Sequence, residues 1–296
     1  MKKIHLLLPI LAGIMFGSSG VFVRTLTQNG IDQTTLLFLR FSIAIIPILI
    51  AIILTDKKLF KIELKDIPLF LVCALCIIGL NLCYNESMNT VPLSLAAVLL
   101  SLAPIYVLVF AYILFREKIT KNKIICMVLA IFGCILMTGV LESDISNVPV
   151  FGIVAGIGAG LFWAVYLMAS KKSIENGKHT YTILIYSIIF ISIALIPFTA
   201  FGQINDFVSV NPVLVIIFLI LHSTFSFAVP YIFSTLSLNY IDSGVSSILL
   251  SGAEPFAALL FGFIFYAEIP TLMMFLGFIL TIAAMTMLSR NENVSK

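Results

Sequence analysis

Apolar segments of about twenty residues, separated by short polar connections, follow one another along this 296-residue chain. The chain is 61% apolar and only 10% charged, whereas a soluble domain is roughly 45–50% apolar and about 25% charged. A helix needs about twenty apolar residues to cross about 30 Å of hydrocarbon. The pattern therefore predicts an all-α integral membrane protein embedded in a lipid bilayer and excludes a soluble domain.

Ten apolar segments can be delimited. They cover residues 4–24, 34–54, 68–88, 93–115, 123–141, 150–170, 181–201, 212–235, 244–266 and 269–289. The first segment follows Lys2 and Lys3 but has no clear small-x-small cleavage site, so we interpret it as a span rather than a signal peptide. Only Glu268, Pro270 and Thr271 separate the last two segments. The sequence predicts ten transmembrane helices.

The basic residues predict how these spans are oriented, because Lys and Arg accumulate on the cytoplasmic side. With the N-terminus inside, fifteen of the seventeen Lys and Arg residues are cytoplasmic. Arg24 falls on the opposite side, and Arg40 lies within the second span. We expect a multi-pass protein of the cytoplasmic (inner) membrane with both termini in the cytoplasm.

The second half of the chain repeats the first. An offset of 151 residues places Pro104 on Pro255 and Glu117 on Glu268. In the first span, an offset of 147 aligns Phe16-Gly17 with Trp163-Ala164, and an offset of 143 matches Ala12-Gly13-Ile14 to Ala155-Gly156-Ile157 equally well. We therefore predict two five-helix repeats, 1–145 and 146–296, with the register of the first span open by one helical turn.

An odd number of spans in each repeat means that the second repeat enters the membrane from the opposite side. Two similar, inverted halves can exchange conformations, so that a site between them opens first to one side and then to the other. The repeat thus indicates a transporter working by alternating access. A duplication that only enlarges a helical bundle is the structural alternative.

Several motifs occur in both halves. In the first half they are Phe16-Gly17-Ser18-Ser19, Leu39-Arg40-Phe41, the segment from Tyr84 to Pro104 that ends in Ala-Pro, and Phe115-Arg116-Glu117-Lys118-Ile119-Thr120. In the second half they are Trp163-Ala164-Val165-Tyr166, Glu254-Pro255 and Ala267-Glu268-Ile269-Pro270-Thr271. Together they resemble the drug/metabolite transporter superfamily, specifically its EamA-type ten-span members. The second copy departs from the pattern because it lacks the basic residues that flank Glu117.

This resemblance implies secondary transport of small metabolites across the cytoplasmic membrane, often export, through a central cavity. Related transporters handle amino acids, nucleosides, cofactors, cationic drugs and sugar phosphates. We expect an exporter of small organic metabolites such as amino acids, with a broad exporter of cationic or aromatic drugs as the alternative. An intramembrane enzyme is a more distant alternative, because an enzyme should cluster its ionisable groups at one membrane face.

Ionisable residues at membrane depth are costly and usually face a cavity or a partner. Glu254 is the deepest carboxylate and precedes Pro255, which removes a helical hydrogen bond; we also expect a helix break at its counterpart Pro104. Glu254 is a candidate proton carrier or ligand for a substrate amine, and otherwise a buried carboxyl that fixes its helix. His222, in the eighth span, is a second candidate for proton coupling, with helix packing as the alternative.

Two further groups of residues complete the candidate site. Toward the outer face, we expect Arg40 to pair with Glu86, with direct binding of a substrate carboxylate by Arg40 as the alternative, and Asn81, Tyr84 and Asn85 to share the cavity face of the third span with Glu86. Trp163 and Tyr166 lie well inside the sixth span, where they either stack on a flat substrate or fill the core.

The sequence contains no GxxxxGK[ST] nucleotide-binding loop and no cluster of metal-ligand residues. We therefore expect no ATP-driven step, no cofactor, no metal site and no enzymatic activity. No basic stripe points to nucleic acid. The expected partners are a small-molecule substrate, the lipid bilayer and, as a candidate coupling ion, the proton; the oligomeric state is left open.

Overall fold

The computed structural model describes residues 2–27, 30–142, 148–267 and 269–291. Within these ranges every regular element is helical, which confirms the all-α prediction. The α-helices are α1 Lys2–Gly17, α2 Ser19–Thr27, α3 Gln33–Thr55, α4 Ile67–Thr90, α5 Leu93–Leu100, α6 Ala103–Phe115, α7 Lys121–Met137, α8 Val150–Glu175, α9 Thr180–Leu195, α10 Phe201–Val210, α11 Pro212–Ser223, α12 Val229–Ser237, α13 Ser243–Tyr266 and α14 Leu272–Asn291. A π-helix, Thr224–Ala228, joins α11 to α12.

Nine segments of the described residues are long and apolar enough to cross a membrane. They are Ile4–Thr27, Gln33–Thr55, Leu64–Thr90, Leu93–Phe115, Val150–Glu175, Thr180–Phe198, Pro212–Ser237, Ser243–Tyr266 and Leu272–Arg290. These nine coincide with predicted spans. The remaining predicted span, 123–141, corresponds to α7, whose 17 residues extend over about 26 Å. The count of ten crossings therefore stays a prediction.

Helix α10 is an element that the sequence analysis did not predict. The predicted seventh span was drawn to residue 201, but α9 ends at Leu195, and a short 3₁₀ helix, Ile196–Phe198, follows it. Phe207 of α10 is buried in a cluster with Leu26, Val215 and Leu219. This packing explains why a ten-residue segment in a polar connection is helical.

Two of the membrane-length segments are interrupted, and one is distorted. Ser18 separates α1 from α2; its hydroxyl donates to the Met15 carbonyl at 2.6 Å and forms a 3.0 Å hydrogen bond with the Ser226 hydroxyl of the π-helix. Ser101 and Leu102 separate α5 from α6. The hydrogen bond between Ser18 and Ser226 therefore joins the interruption of the first segment to the π-helix. π-helical turns occur frequently at functional sites, so this contact is a candidate part of the functional site.

The two prolines differ in their effect on the helix. Pro104 is near the start of α6, just after the interruption, where its missing N–H would have no helical acceptor in any case. Pro255 lies inside α13, which continues from Ser243 to Tyr266. The predicted break at Pro255 is therefore wrong, and the close packing of α1 against this stretch is a physical reason for the continuity.

Glycines bring α1 into close contact with α13. A methyl group added to Gly13 would overlap the Leu250 carbonyl oxygen, and one added to Gly17 would overlap the Glu254 carbonyl oxygen and the Ala257 side chain. Helices can approach this closely only where residues are small. The glycines therefore bring the first segment of the chain directly against the backbone around Glu254.

Helix α8, which belongs to the second half of the chain, makes a comparable contact with helices of the first half. Gly156 packs against Leu99 and Ser87, and Gly160 packs against the Leu100 carbonyl and the Ala103 amide at the interruption between α5 and α6. The helices α7 and α14 form a third close pair, in which Gly277 meets the backbone carbonyl of Gly133. All three contacts join residues of the first half to residues of the second.

One end of the bundle is held by polar contacts between distant parts of the chain. Glu117 forms an ion pair with Lys171, and its carboxylate oxygens accept hydrogen bonds from the amides of Ser243 at 2.9 Å and Gly244 at 3.3 Å. These amides lie in the first turn of α13. A carboxylate at this position satisfies free N–H groups and interacts favourably with the helix dipole.

Further contacts place other connections at the same end. Lys178 forms an ion pair with Asp66 at 2.7 Å, and the His5 ring stacks on Tyr240 with 3.9 Å between ring centroids. At the opposite end, the Asp32 amide donates to Gln203 at 3.3 Å. The connections that carry most of the Lys and Arg residues thus lie at the same end of the bundle as Glu117.

Candidate functional site

Arg40 lies in a small cavity between α3, α4 and α11. The cavity has a volume of about 40 Å³ and its polar lining includes Asn81, Asn85 and His222. Nη2 of Arg40 donates to Oδ1 of Asn81 at 2.6 Å, and Nε is buried with no partner among the described residues. The guanidinium carbon lies 5.4 Å from the centroid of the Phe227 ring, a distance at which cation–π attraction operates.

The predicted ion pair between Arg40 and Glu86 is wrong, because Arg40 bonds to the amide of Asn81 instead. Glu86 follows Asn81 by five residues on α4, and five residues turn a helix about 140° beyond a full turn. Its side chain therefore leaves the helix on a different side from that of Asn81. Glu86 does not line the cavity, whereas Asn85 does.

His222 is fully buried in the same region. Neither of its ring nitrogens has a hydrogen-bond partner among the described residues, and its ring stacks on Phe22 with 5.6 Å between centroids. Buried polar groups are nearly always hydrogen-bonded, so a histidine with two unpaired nitrogens calls for an explanation. Water or a ligand group in the cavity that it lines would supply the partner.

Glu254 lies on α13 beside the close contact with Gly17. It is half-buried, and no described residue gives its carboxylate a hydrogen bond or an ion pair. Tyr84 of α4 lies within electrostatic reach of this carboxylate. Tyr231 of α12 lies within electrostatic reach of both Glu254 and Arg40.

Trp163 and Tyr166 belong to an aromatic cluster that also contains Phe16, Tyr231, Phe227 and Phe41. Trp163 stacks on Tyr166 with 5.4 Å between ring centroids, and both rings contact Tyr231. The Tyr166 hydroxyl forms a 2.7 Å hydrogen bond with Thr235. In this conformation the two residues are buried in the core, and a flat substrate would reach them only if the side chains packed on them moved.

Sequence reasoning missed two features of this region. It did not single out Tyr231, which lies within electrostatic reach of Arg40 and Glu254, and it did not find the buried ion pair between Lys123 and Asp242, with 2.6 Å between Nζ and Oδ2. Opposite charges at the start of two spans on the same predicted membrane side were a usable signal for the ion pair. No comparable signal marked Tyr231, because its role depends on how α12 is rotated.

A larger cavity than the one around Arg40 lies elsewhere among the described residues. It is an open, mostly apolar groove of about 330 Å³ between α1 and α14, lined by residues such as Leu7, Ile10 and Ile282. It contains none of the predicted site residues. Among the described residues, no group of three or more His, Cys, Asp or Glu side chains is arranged to hold a metal ion.

A sequence profile described as the EamA-like transporter family matches residues 3–139 and 150–290. A crystal structure with 14% sequence identity matches with a TM-score of 0.80 over the full length of both chains. At this identity the structural likeness shows a shared fold. The two profile matches cover nearly all of the chain and correspond to its two halves.

Curated relatives that match the chain are named as transporters. An uncharacterized transporter of Archaeoglobus fulgidus is 26% identical over 273 residues, which is 90% of each chain. The uncharacterized transporter YxxF of Bacillus subtilis is 23% identical over 97% of this chain and 89% of its own. The threonine/homoserine exporter RhtA of Salmonella typhimurium is 29% identical over 70% of this chain and 65% of its own.

Proposed function

Because the chain belongs to the EamA-like transporter family, we propose that it is a secondary transporter that exports small organic metabolites, such as amino acids, across the cytoplasmic membrane. The observation that carries this proposal is a set of polar groups, contributed by both halves, that have few or no partners among the described residues. Arg40 comes from the first half, and His222 and Glu254 come from the second. Such groups are costly at membrane depth and usually mark a substrate or ion pathway.

The choice of amino acids draws on one relative and on the charges of the site. The similar exporter RhtA is named for threonine and homoserine, which carry one carboxylate and one ammonium group. The site offers a guanidinium at Arg40 and a carboxylate at Glu254, with Tyr231 within electrostatic reach of both. Opposite charges at its two ends suit a zwitterion.

Ten crossings and an inverted repeat are part of the proposal. The glycine contacts support the repeat: Gly17 packs on Glu254 and Ala257, while Gly160 packs on Ala103 and Tyr106. An offset of 143 relates the two glycines, and the offset of 151 relates their partners. The same pairing rule thus holds in both halves, and it favours the 143 register for the first span.

The membrane orientation is proposed from charge and from contacts. The end of the bundle that contains Glu117, Lys123, Lys171 and Asp242 carries the excess of Lys and Arg, which favours a cytoplasmic location. Two ion pairs join the halves at this end in the present conformation. Alternating access would require them to separate when the site opens to the cytoplasm.

Glu254 is proposed to link substrate binding to the proton gradient. A carboxyl group without protein partners can take up a proton in one conformation and release it in another. It can also accept the ammonium group of a substrate, and both roles place Glu254 in the transport pathway. His222 is the next candidate for the proton, because its ring nitrogens have no described partner.

A broad exporter of cationic or aromatic drugs is the second candidate. The aromatic cluster around Trp163 and Tyr231 favours it, because aromatic faces bind organic cations and Glu254 supplies a negative charge nearby. Competition by a planar cation against amino-acid transport would support this candidate. Amino-acid transport that is unaffected by such cations would favour the first.

Metabolite profiling of cells with and without the protein would test the proposed function, followed by transport of the leading compound into proteoliposomes. We expect one or a few amino acids to accumulate inside cells that lack the protein. We expect reconstituted protein to move the same compounds in response to an ion gradient. Unchanged metabolite pools combined with no gradient-driven transport in proteoliposomes would contradict the proposal.

A further inference from the structure

We propose that the cavity around Arg40 binds the carboxylate group of a free amino acid, an inference that rests on the proposed export function and specifies one end of its substrate. The cavity collects polar side chains from three helices that are distant in sequence: Gln33 and Arg40 of α3, Asn81 and Asn85 of α4, and His222 of α11. The other described residues that line it are apolar. Among the described lining residues, the guanidinium is thus the single formal charge.

The charge of Arg40 is met by a neutral group. Nδ2 of Asn81 donates to the Ile77 carbonyl at 2.8 Å, so Oδ1 of the same amide faces Arg40 and accepts its hydrogen bond at 2.6 Å. Asn81 therefore orients the guanidinium but adds no negative charge. A cation in this environment gains from an anion that enters the cavity.

Nitrogen atoms without hydrogen-bond partners belong to two residues that line this cavity. Nε of Arg40 and both ring nitrogens of His222 are buried and have no partner among the described residues. A carboxylate binds a guanidinium through two parallel hydrogen bonds, and a neutral imidazole supplies one further N–H donor. A single carboxylate would therefore use the donors that this conformation leaves unpaired.

The size and charge of the cavity favour a carboxylate over a larger anion. Its volume of about 40 Å³ exceeds the roughly 10–15 Å³ that one water molecule requires, so it accommodates a small group rather than a whole metabolite. One guanidinium neutralises a monoanion. A phosphate dianion would retain an unpaired charge in a low-dielectric environment, which is costly.

Glu254 would supply the opposite charge for the ammonium group of the substrate. Tyr231 lies within electrostatic reach of both Arg40 and Glu254. An amino acid with its carboxylate at Arg40 would extend past Tyr231 and direct its ammonium group toward Glu254. This arrangement assigns the two ends of a zwitterion to the two halves of the chain.

A ligand series on the full-length protein in lipid nanodiscs tests the proposal without any mutation. L-Threonine, L-homoserine and the common L-amino acids are first screened by thermal stabilisation, and the compounds that bind are titrated by calorimetry. Each is then compared with its carboxamide and with its decarboxylated amine. We expect the amide and the amine to bind at least about tenfold more weakly, because tenfold corresponds to about 1.4 kcal/mol and the loss of a hydrogen bond to a charged group costs at least as much.

Variants locate the effect at Arg40. We expect Arg40→Gln to lose at least about tenfold in affinity for the amino acid but to bind the carboxamide as the parent does. Arg24→Gln removes an equal charge on α2, where Arg24 lies 4.1 Å from the centroid of the Tyr266 ring, and should bind both ligands as the parent does. If Arg40→Gln does not fold, the comparison of acid, carboxamide and amine on the parent protein still tests the inference.

Three results would overturn the inference. They are equal affinity for acid, amide and amine, retention of the preference for the acid in Arg40→Gln, and no binding of any amino acid at millimolar concentration. The proposed export function is judged separately, by transport of the compounds that metabolite profiling identifies. An exporter of metabolites without a carboxylate would thus retain its function while the Arg40 inference fails.

Discussion

Lys123 of α7 and Asp242, which precedes α13, form an ion pair across the two halves of the chain, with 2.6 Å between Nζ and Oδ2. The side chain of Lys123 is only 2% exposed, and that of Asp242 is 28% exposed. Nζ of Lys123 also donates to the Lys118 carbonyl at 3.1 Å. A buried ammonium group with several partners contributes to stability through each of them.

Lys123→Met should destabilise the protein because it keeps the length of the side chain but removes the charge that faces Asp242. Breaking a buried ion pair costs about 3–5 kcal/mol, and the partial exposure of Asp242 reduces this to about 1–3 kcal/mol. The thermal midpoint in detergent should fall by several degrees.

Lys172→Met is the matched control for Lys123→Met. Lys172 pairs with Glu175 at 3.4 Å, and both side chains are about half exposed. Such surface pairs contribute about 0–1 kcal/mol. Equal midpoints for the two variants would contradict the structural role assigned to Lys123.

Glu117→Gln should weaken the contact between the connection after α6 and the start of α13. The carboxylate of Glu117 pairs with Lys171 and accepts hydrogen bonds from the Ser243 and Gly244 amides, and an amide side chain can replace only part of these interactions. We expect a loss of about 1–3 kcal/mol, measured as a lower thermal midpoint. Glu175→Gln, at an exposed pair, should leave the midpoint unchanged, and a midpoint for Glu117→Gln equal to that of the parent would contradict the assignment.

Gly17→Ala should separate α1 from α13, because the added methyl group would overlap the Glu254 carbonyl and the Ala257 side chain. Overpacking of this kind costs about 1–3 kcal/mol. Gly20→Ala is the control, since a methyl group added there meets no atom within 4 Å and alanine favours a helix over glycine by about 1 kcal/mol. We expect a lower thermal midpoint for Gly17→Ala and an unchanged or higher midpoint for Gly20→Ala.

The all-helical class and the positions of nine apolar segments could be predicted from the sequence because hydropathy measures the length of apolar runs directly. The close contact of Gly13 and Gly17 with α13 could not be predicted, because hydropathy does not identify which helix faces these glycines. The partner of Arg40 could not be predicted, since Asn81 and Glu86 differ in rotation about α4, which hydropathy leaves undetermined. The continuity of α13 at Pro255 likewise depends on neighbouring helices.

The topology is a separate prediction. Reporters fused after Lys61 and after Lys296 should both read cytoplasmic, and a reporter after Ser143 should read external. Ser143 and Lys296 lie outside the described residues. Glu268, the counterpart of Glu117 in the repeat, also lies outside them. The reason is the concentration of Lys and Arg in alternate connections. Termini on opposite sides of the membrane would contradict both the ten crossings and the inverted repeat.

Glu254→Gln removes the ionisable group of the deepest carboxylate and keeps its size and hydrogen-bonding capacity. The most direct test of the account is amino-acid transport by this variant in proteoliposomes, with and without a pH gradient, beside the parent and Glu175→Gln. We predict that Glu254→Gln reaches the membrane in normal amounts but loses gradient-driven transport and any pH dependence of substrate exchange, while Glu175→Gln behaves as the parent. Gradient-driven transport by a well-expressed Glu254→Gln variant at the parental rate would contradict the account and leave His222 as the next candidate.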